Sequence, residues 1–328
     1  MVRESERKAL SLFRNCTRAK AHRGEQNMKV YSAHDKIFDA INTGILLIFM
    51  LIILYPLYFV VIASISSPAA VNSGEVLFFP KGATLEGYKY VLKDNTIWKG
   101  YTNSIILTIV GTSVNMFCTV TCAYALSKSY LPLIKPLMKL ITFTMFFSGG
   151  IIPTYLLVTG LHMRDTIWAL ILPSAISVYN LILMRTYFIN SIPEEIIQAA
   201  KIDGCSEIKA LTSIVLPLSK PITVTIALFY GVGHWSQFFQ ALIYIDDRNK
   251  FPLQLVLRNM LLMGNNAMTS MLSGGMTGEN AKYLAELMQQ IEILKYAVII
   301  VSVLPLLIVY PFLQKFFMKG IMLGSLKG

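Results

Sequence analysis

The chain has 328 residues, long enough for two soluble domains, yet 55% of them are hydrophobic, only 14% are charged and the mean hydropathy is +0.57. An average soluble domain is roughly 25% charged, so a soluble chain of this size would lack the charge to cover its surface. An ordinary cytosolic enzyme, an intrinsically disordered chain and a disulfide-stapled secreted fold are excluded. Lys and Arg (29) exceed Asp and Glu (18) by 11; in a soluble protein that excess would suggest nucleic acid, whereas in an apolar one it reports topology.

The chain opens on a basic segment, residues 1–39, carrying Arg3, Arg7, Lys8, Arg14, Arg18, Lys20, Arg23, Lys29 and Lys36. Six gaps between charged residues follow, each 19 residues or longer, and a helix needs about 20 apolar residues to cross ~30 Å of hydrocarbon. They predict spans at about 41–65, 101–127, 140–160, 166–188, 214–235 and 295–317, within a permease domain of residues 40–320. The first is too long, and its basic leader too extended, for a cleaved signal peptide. Lys128, Lys135 and Lys139 fall between the second and third spans, and Lys315, Lys319 and Lys327 after the sixth. With the basic leader they lie on one side, so the positive-inside rule places both termini in the cytoplasm. The fourth-to-fifth loop is then cytoplasmic, and segments 66–99, 160–165 and 236–294 face outside. Pro56, Pro153, Pro173, Pro221, Pro305 and the run Ser148-Gly149-Gly150 interrupt the apolar stretches. Membrane helices tolerate such breaks, either as kinks of packing or as bends that shape a pathway.

The spans hold uncharged polar groups but lack the acidic or basic residues at mid-depth that ion-coupled transport uses. Lys220 and His234 sit only at the ends of the fifth. Asn115, Tyr155, Tyr179, Asn180 and Tyr230, with Trp235 and Gln237 at the outer end of the fifth span, are candidate contacts for a neutral polar solute. The same groups equally suit interhelical hydrogen bonds, worth about 0.6–2 kcal/mol each. Cys118 and Cys122 share one helix face and read as packing residues, while Cys16 and Cys205 are cytoplasmic, where thiols stay reduced. No phosphate-binding loop or metal-binding motif is present; Leu272-Ser273-Gly274-Gly275-Met276 imitates an ATP-cassette signature but lies in an outside loop with no nucleotide-binding partner motif.

The loop at residues 189–217 is the most informative stretch. Pro193 opens a short helix with Glu194 and Glu195 in its first turn, matching the helix dipole. Ile196, Ile197, Ala200 and Ile202 form an apolar side, Asp203-Gly204 turns the chain, and a second short helix is expected to be broken by Pro217. A helix–turn–helix on a cytoplasmic surface is a docking element, the alternative being a helix packed on the protein's own loops. Gln198-Ala199-Ala200-Lys201-Ile202-Asp203-Gly204-Cys205, with Leu216-Pro217 eleven residues further on, resembles the EAA loop of ABC-importer permeases. Gln198 replaces the family's first Glu and Cys205 its last Ala. The segments from Phe147 to Tyr155 and from Tyr310 to Gly328 resemble the carbohydrate-uptake branch, in particular the LplC/YtcP-type group of MalG-like permeases.

The resemblance implies an all-α polytopic protein with a MetI-like type I importer core and no catalytic residue. It implies no cofactor in this chain, ATP and Mg being bound by a partner ATPase. It further implies a multi-pass location in the bacterial cytoplasmic membrane and a heterodimer with a second, homologous permease. Two ABC ATPase subunits and an extracellular solute-binding protein that delivers an oligosaccharide complete the machine. Glu195, Gln198, Ala199, Ala200, Asp203, Gly204, Leu216 and Pro217 are the implied ATPase-coupling positions. Residues 246–293 would meet the binding protein and residues 318–328 the ATPase. The alternatives are an importer of the same type for a peptide or chelate, an ion-coupled transporter or channel, and a membrane-embedded enzyme or sensor.

Overall fold

A computed structural model describes residues 33–128, 130–262, 291 and 294–311. Most of the basic leader, Leu272–Met276, most of the loop at 246–293 and the tail at 318–328 lie outside the described residues. Among those described, every regular element is a helix. The chain falls into two units, residues 1–59 and 60–328.

In the first unit, the described chain is the main part of α1 (Ala33–Ser64), whose side chains from Lys36 onward are almost all exposed. An apolar helix with no buried stripe is one made for lipid or a partner rather than for its own core.

The second unit is built on α4 (Asn95–Ser127), preceded by α2 (Pro68–Asn72) and α3 (Glu86–Lys93). Asp94 caps α4 by accepting from the Thr96 amide at 2.7 Å. The buried positions of α4 are Ile97, Gly100, Ser104, Leu107, Gly111, Asn115, Thr119, Ala123 and neighbours, a three- and four-residue spacing along one face. Most of them are small or polar, which lets other helices approach its backbone closely.

Three pairs of shorter helices follow: α5 (Ile134–Phe146) with α6 (Ile151–Gly160) bent by 111°, α7 (Trp168–Ser174) with α8 (Val178–Ser191) by 53°, and α10 (Glu207–Leu218) with α11 (Lys220–Trp235) by 89°. α9 (Glu194–Ile202) lies between the last two pairs. Each break has a local cause. Gly150 takes φ 86°, open to glycine alone at its extended ψ. Pro173 sits in a 3₁₀ turn before Ser177 caps α8. Ser219, at φ −101° and ψ 16°, separates α10 from α11, whose first turn holds Pro221. Pro217 therefore does not end the second short helix as the sequence predicts. The preceding turn, residues 211–215, widens to a π-helix, and the chain passes through Pro217 before breaking at Ser219.

After α11 come α12 (Phe239–Tyr244), α13 (Leu253–Leu262) and α14 (Leu294–Pro311). Among the described residues, three helices are long and apolar enough to cross a membrane, and the bent pairs raise the number to six if each is one span.

α4 runs through three cores. Val120, Ala123 and Tyr124 pack with Met184, Phe188, Leu211, Val215 and Ile226; Leu107 packs with Val158, Ile171, Tyr244 and Leu255; Ile97 packs with Trp235, Leu253 and Ala297. α14 is tied in by the Trp235 indole, which donates to the Ser302 carbonyl at 3.1 Å, and by the Tyr101 hydroxyl, which donates to the Val301 carbonyl. Asp165, at φ 59°, accepts from the Asp246 and Asp247 amides and from Lys250 at 2.7 Å, joining the turn after α6 to the loop after α12.

Candidate functional site

The docking segment is built by local rules. Pro193 precedes α9, and Glu194 and Glu195 occupy its first turn. Its far end is a Schellman cap: the Cys205 amide donates to the Ala200 carbonyl (2.9 Å) and the Gly204 amide to the Lys201 carbonyl (3.0 Å). That geometry requires Gly204 at φ 78°. Ser206 then caps α10 by accepting from the Lys209 amide.

α9 has no fully buried residue. Ile197 packs against the core and Ala200 is half-buried, while Glu195, Ile196, Gln198 and Ala199 are exposed. Ile202 is 87% and Ile208 78% exposed, so Ile202 does not share the inward side of the helix. These apolar side chains face away from the protein, as a docking surface requires. Leu216 is half-buried against the core, and Pro217 is exposed.

Behind α9 lies an ion cluster that sequence reasoning passed over. Glu207 receives the Tyr124 hydroxyl at 2.6 Å and Lys201 at 2.5 Å, with Lys128 at 3.4 Å. Lys128 also donates to the Tyr124 hydroxyl at 2.8 Å, and its ammonium stands 4.0 Å from that ring's centre. Lys201, then Tyr124, hold the Glu207 carboxyl down at about 2, and Glu207 in turn raises Lys201. The one sequence signal is an acid in the first turn of α10 facing a Lys just before the Asp203-Gly204 turn.

A second feature is a cleft of about 530 Å³ between the start of α8 and the end of α11, and it gathers four of the polar residues singled out from sequence: Asn115, Asn180, Tyr230 and Gln237. Ser174, Ser177, His234 and Gln240 add polar lining, and Phe229, Phe238 and Phe239 add apolar faces. Among the described residues, no Lys, Arg, Asp or Glu lines it. Asn115 donates to the Ser174 carbonyl at 3.1 Å. Tyr230 accepts from the Ser177 amide at 2.9 Å and pairs with Thr119 at 2.7 Å, joining α4, α8 and α11. Gln237 donates to the Leu170 carbonyl, which turns its oxygen toward His234 Nδ1 at 3.2 Å. The structure leaves three candidates outside the cleft: Tyr155 stacks on Tyr244 at 6.2 Å, Tyr179 is exposed, and Trp235 is buried in the third core. For Trp235 the reason is its hydrogen bond to α14, which turns the indole away.

Among the described residues the chain is all helical, with an apolar surface and a polar cleft, and the family it matches is one of transporter permease subunits, not ATPases. The family model described as binding-protein-dependent transport system inner membrane component matches residues 27–322, and the chain belongs to that family. Protein LplC of Bacillus subtilis (strain 168) is 42% identical over 89% of this chain and 96% of its own length. The polygalacturonan/rhamnogalacturonan transport system permease protein YtcP of the same organism is 40% identical over 90% and 99%. A chain of a bacterial ABC transporter involved in the import of the acidic polysaccharide alginate superposes with a TM-score of 0.78 at 32% identity, covering 88% of this chain and all of its own.

Proposed function

We propose that this subunit forms half of the translocation pathway of an ATP-driven importer in the bacterial cytoplasmic membrane and carries an oligosaccharide. An extracellular binding protein delivers the sugar, a second, homologous permease completes the pathway, and two ATPase subunits bind ATP and Mg. Both termini lie in the cytoplasm, and α9 docks on the ATPase through Glu195, Ile196, Gln198, Ala199 and Ile202. Gln198, in place of the family's Glu, makes this contact by hydrogen bonding rather than by a salt bridge.

The observation that carries this reading is the docking helix itself: a glycine-capped α9 with its apolar side chains turned outward, in a chain of this family. The cleft supports a sugar cargo, since amides, hydroxyls and aromatic faces suit hydroxyl-rich rings. The relatives named for polygalacturonan, rhamnogalacturonan and alginate support an oligosaccharide over a peptide or chelate.

The test is reconstitution of the four components in proteoliposomes, with labelled oligogalacturonides, neutral oligosaccharides and peptides offered in turn. ATP-dependent accumulation of a sugar is expected. Accumulation of peptide alone, or sugar uptake driven by an ion gradient without ATP, overturns the reading.

A further inference from the structure

Resting on the reading of α9 as the ATPase-facing helix, we propose that Glu207 is the positioning residue that ties α9 to the membrane-spanning α4, one carboxylate holding Lys201 on one side and the Tyr124–Lys128 pair on the other.

The packing shows why such a tie is needed. α9 buries no residue completely, so apolar contact alone leaves it free to slide on the bundle. Its cap is local, made of bonds from Gly204 and Cys205 back to its own last turn, and transmits nothing to α4. The polar link that spans the gap is Lys201 to Glu207 Oε1 at 2.5 Å and Glu207 Oε2 to the Tyr124 hydroxyl at 2.6 Å. Tyr124 accepts from Lys128 as it donates to Glu207, so the bonds form one directed chain, each strengthening the next.

Glu207 is also suited to the position. It sits in the first turn of α10, where a negative charge is favoured, and its backbone belongs to neither partner, so three elements meet at one side chain. Lys128 is largely buried, and an ammonium in that setting needs a nearby anion. A displacement of α9 would therefore pull on Glu207 through the partly exposed Lys201 pair, and through Glu207 on Tyr124 and the buried Lys128. Glu207 itself stays ionised across the physiological range, because Lys201, then Tyr124, hold its carboxyl at about 2.

The test compares Glu207→Gln, Lys201→Met and their double variant in the reconstituted complex, measuring solute imported per ATP hydrolysed. Each single variant should lower that ratio by about two- to fivefold, the range expected for one partly exposed ion pair. The double variant should be no worse than Glu207→Gln, and Tyr124→Phe should move the ratio in the same direction. An unchanged ratio in both single variants overturns the proposal. So does a parallel fall of hydrolysis and uptake with loss of assembly, the mark of a merely structural role. A photo-crosslinker placed at Gln198 separates the two levels. Capture of the ATPase with unchanged ratios removes the tie alone, and failure to capture it overturns the docking reading and the tie together.

Discussion

Gly204 ends the docking helix in a conformation that side chains resist. A Cβ there would meet nothing within 4 Å, so Gly204→Ala costs only backbone strain, about 1–2 kcal/mol, and should weaken coupling without preventing assembly. Gly204→Pro fixes φ near −65° and removes the amide that bonds Lys201; it should abolish ATP-driven uptake while the subunits still copurify. Normal uptake by the proline variant would remove α9 from the coupling route. Tyr230 makes a different point. It is visible in sequence as a polar group at membrane depth, but its hydroxyl is spent on Ser177 and Thr119. Tyr230→Phe leaves the Ser177 amide without its acceptor and should destabilise the subunit by about 1–2 kcal/mol. The readout is a lower unfolding midpoint in detergent, and an unchanged midpoint would mean the three-helix junction contributes nothing.

Among the elements, α4 shows most clearly what the sequence hides. Its length and apolar character were legible, yet its packing face was not. In lipid the exposed side is as apolar as the core, so hydrophobic periodicity does not mark the buried side; the marker is the spaced set Gly100, Ser104, Gly111, Asn115 and Thr119. Gly111 is the tightest of these. A Cβ there would come within 2.5 Å of His234 Nε2, on a ring that Gln237 holds from the other side. Gly111→Ala should therefore push α4 and α11 apart and cost about 1–3 kcal/mol. Removing the obstacle in Gly111→Ala/His234→Ala should recover part of the loss, and a double variant less stable than Gly111→Ala would refute the steric account. The docking segment was far more legible, because Asp203-Gly204 and Leu216-Pro217 are local signals whose geometry depends on few neighbours. Even there the break moved from Pro217 to Ser219, since a π-turn absorbs a missing amide in a way no residue pattern announces. Glu207 stayed hidden because, apart from the nearby Lys201, its partners Tyr124, Lys128 and Tyr130 lie at the end of α4 and just beyond it, far off in sequence.

At the scale of the whole molecule, ion pairs among the described residues fasten distant segments: Glu207 with Lys201 and Lys128, and Asp165 with Lys250 beside Arg164 with Asp246. Their pH behaviour follows from the direction of each shift. Lys201 lowers Glu207 to about 2, and Lys250 with the Asp246 and Asp247 amides holds Asp165 below the usual carboxylate range. A carboxylate depressed on folding contributes stability that is present above its unfolded pKa, near 4, and is lost as pH falls through the folded value. Lys201 and Lys250 are raised, so their share is present below the ordinary lysine value and disappears only as pH rises through the raised one. Tyr124, Tyr130 and Lys128 also face the Glu207 carboxylate. The difference in unfolding midpoint between the native protein and Asp165→Asn/Glu207→Gln should thus stay flat from about pH 5 to 9 and shrink below about pH 4. Midpoints measured on the purified complex across that range decide it: a difference that already shrinks between pH 7 and 5 would mean these carboxylates are not held by the lysines the structure places against them.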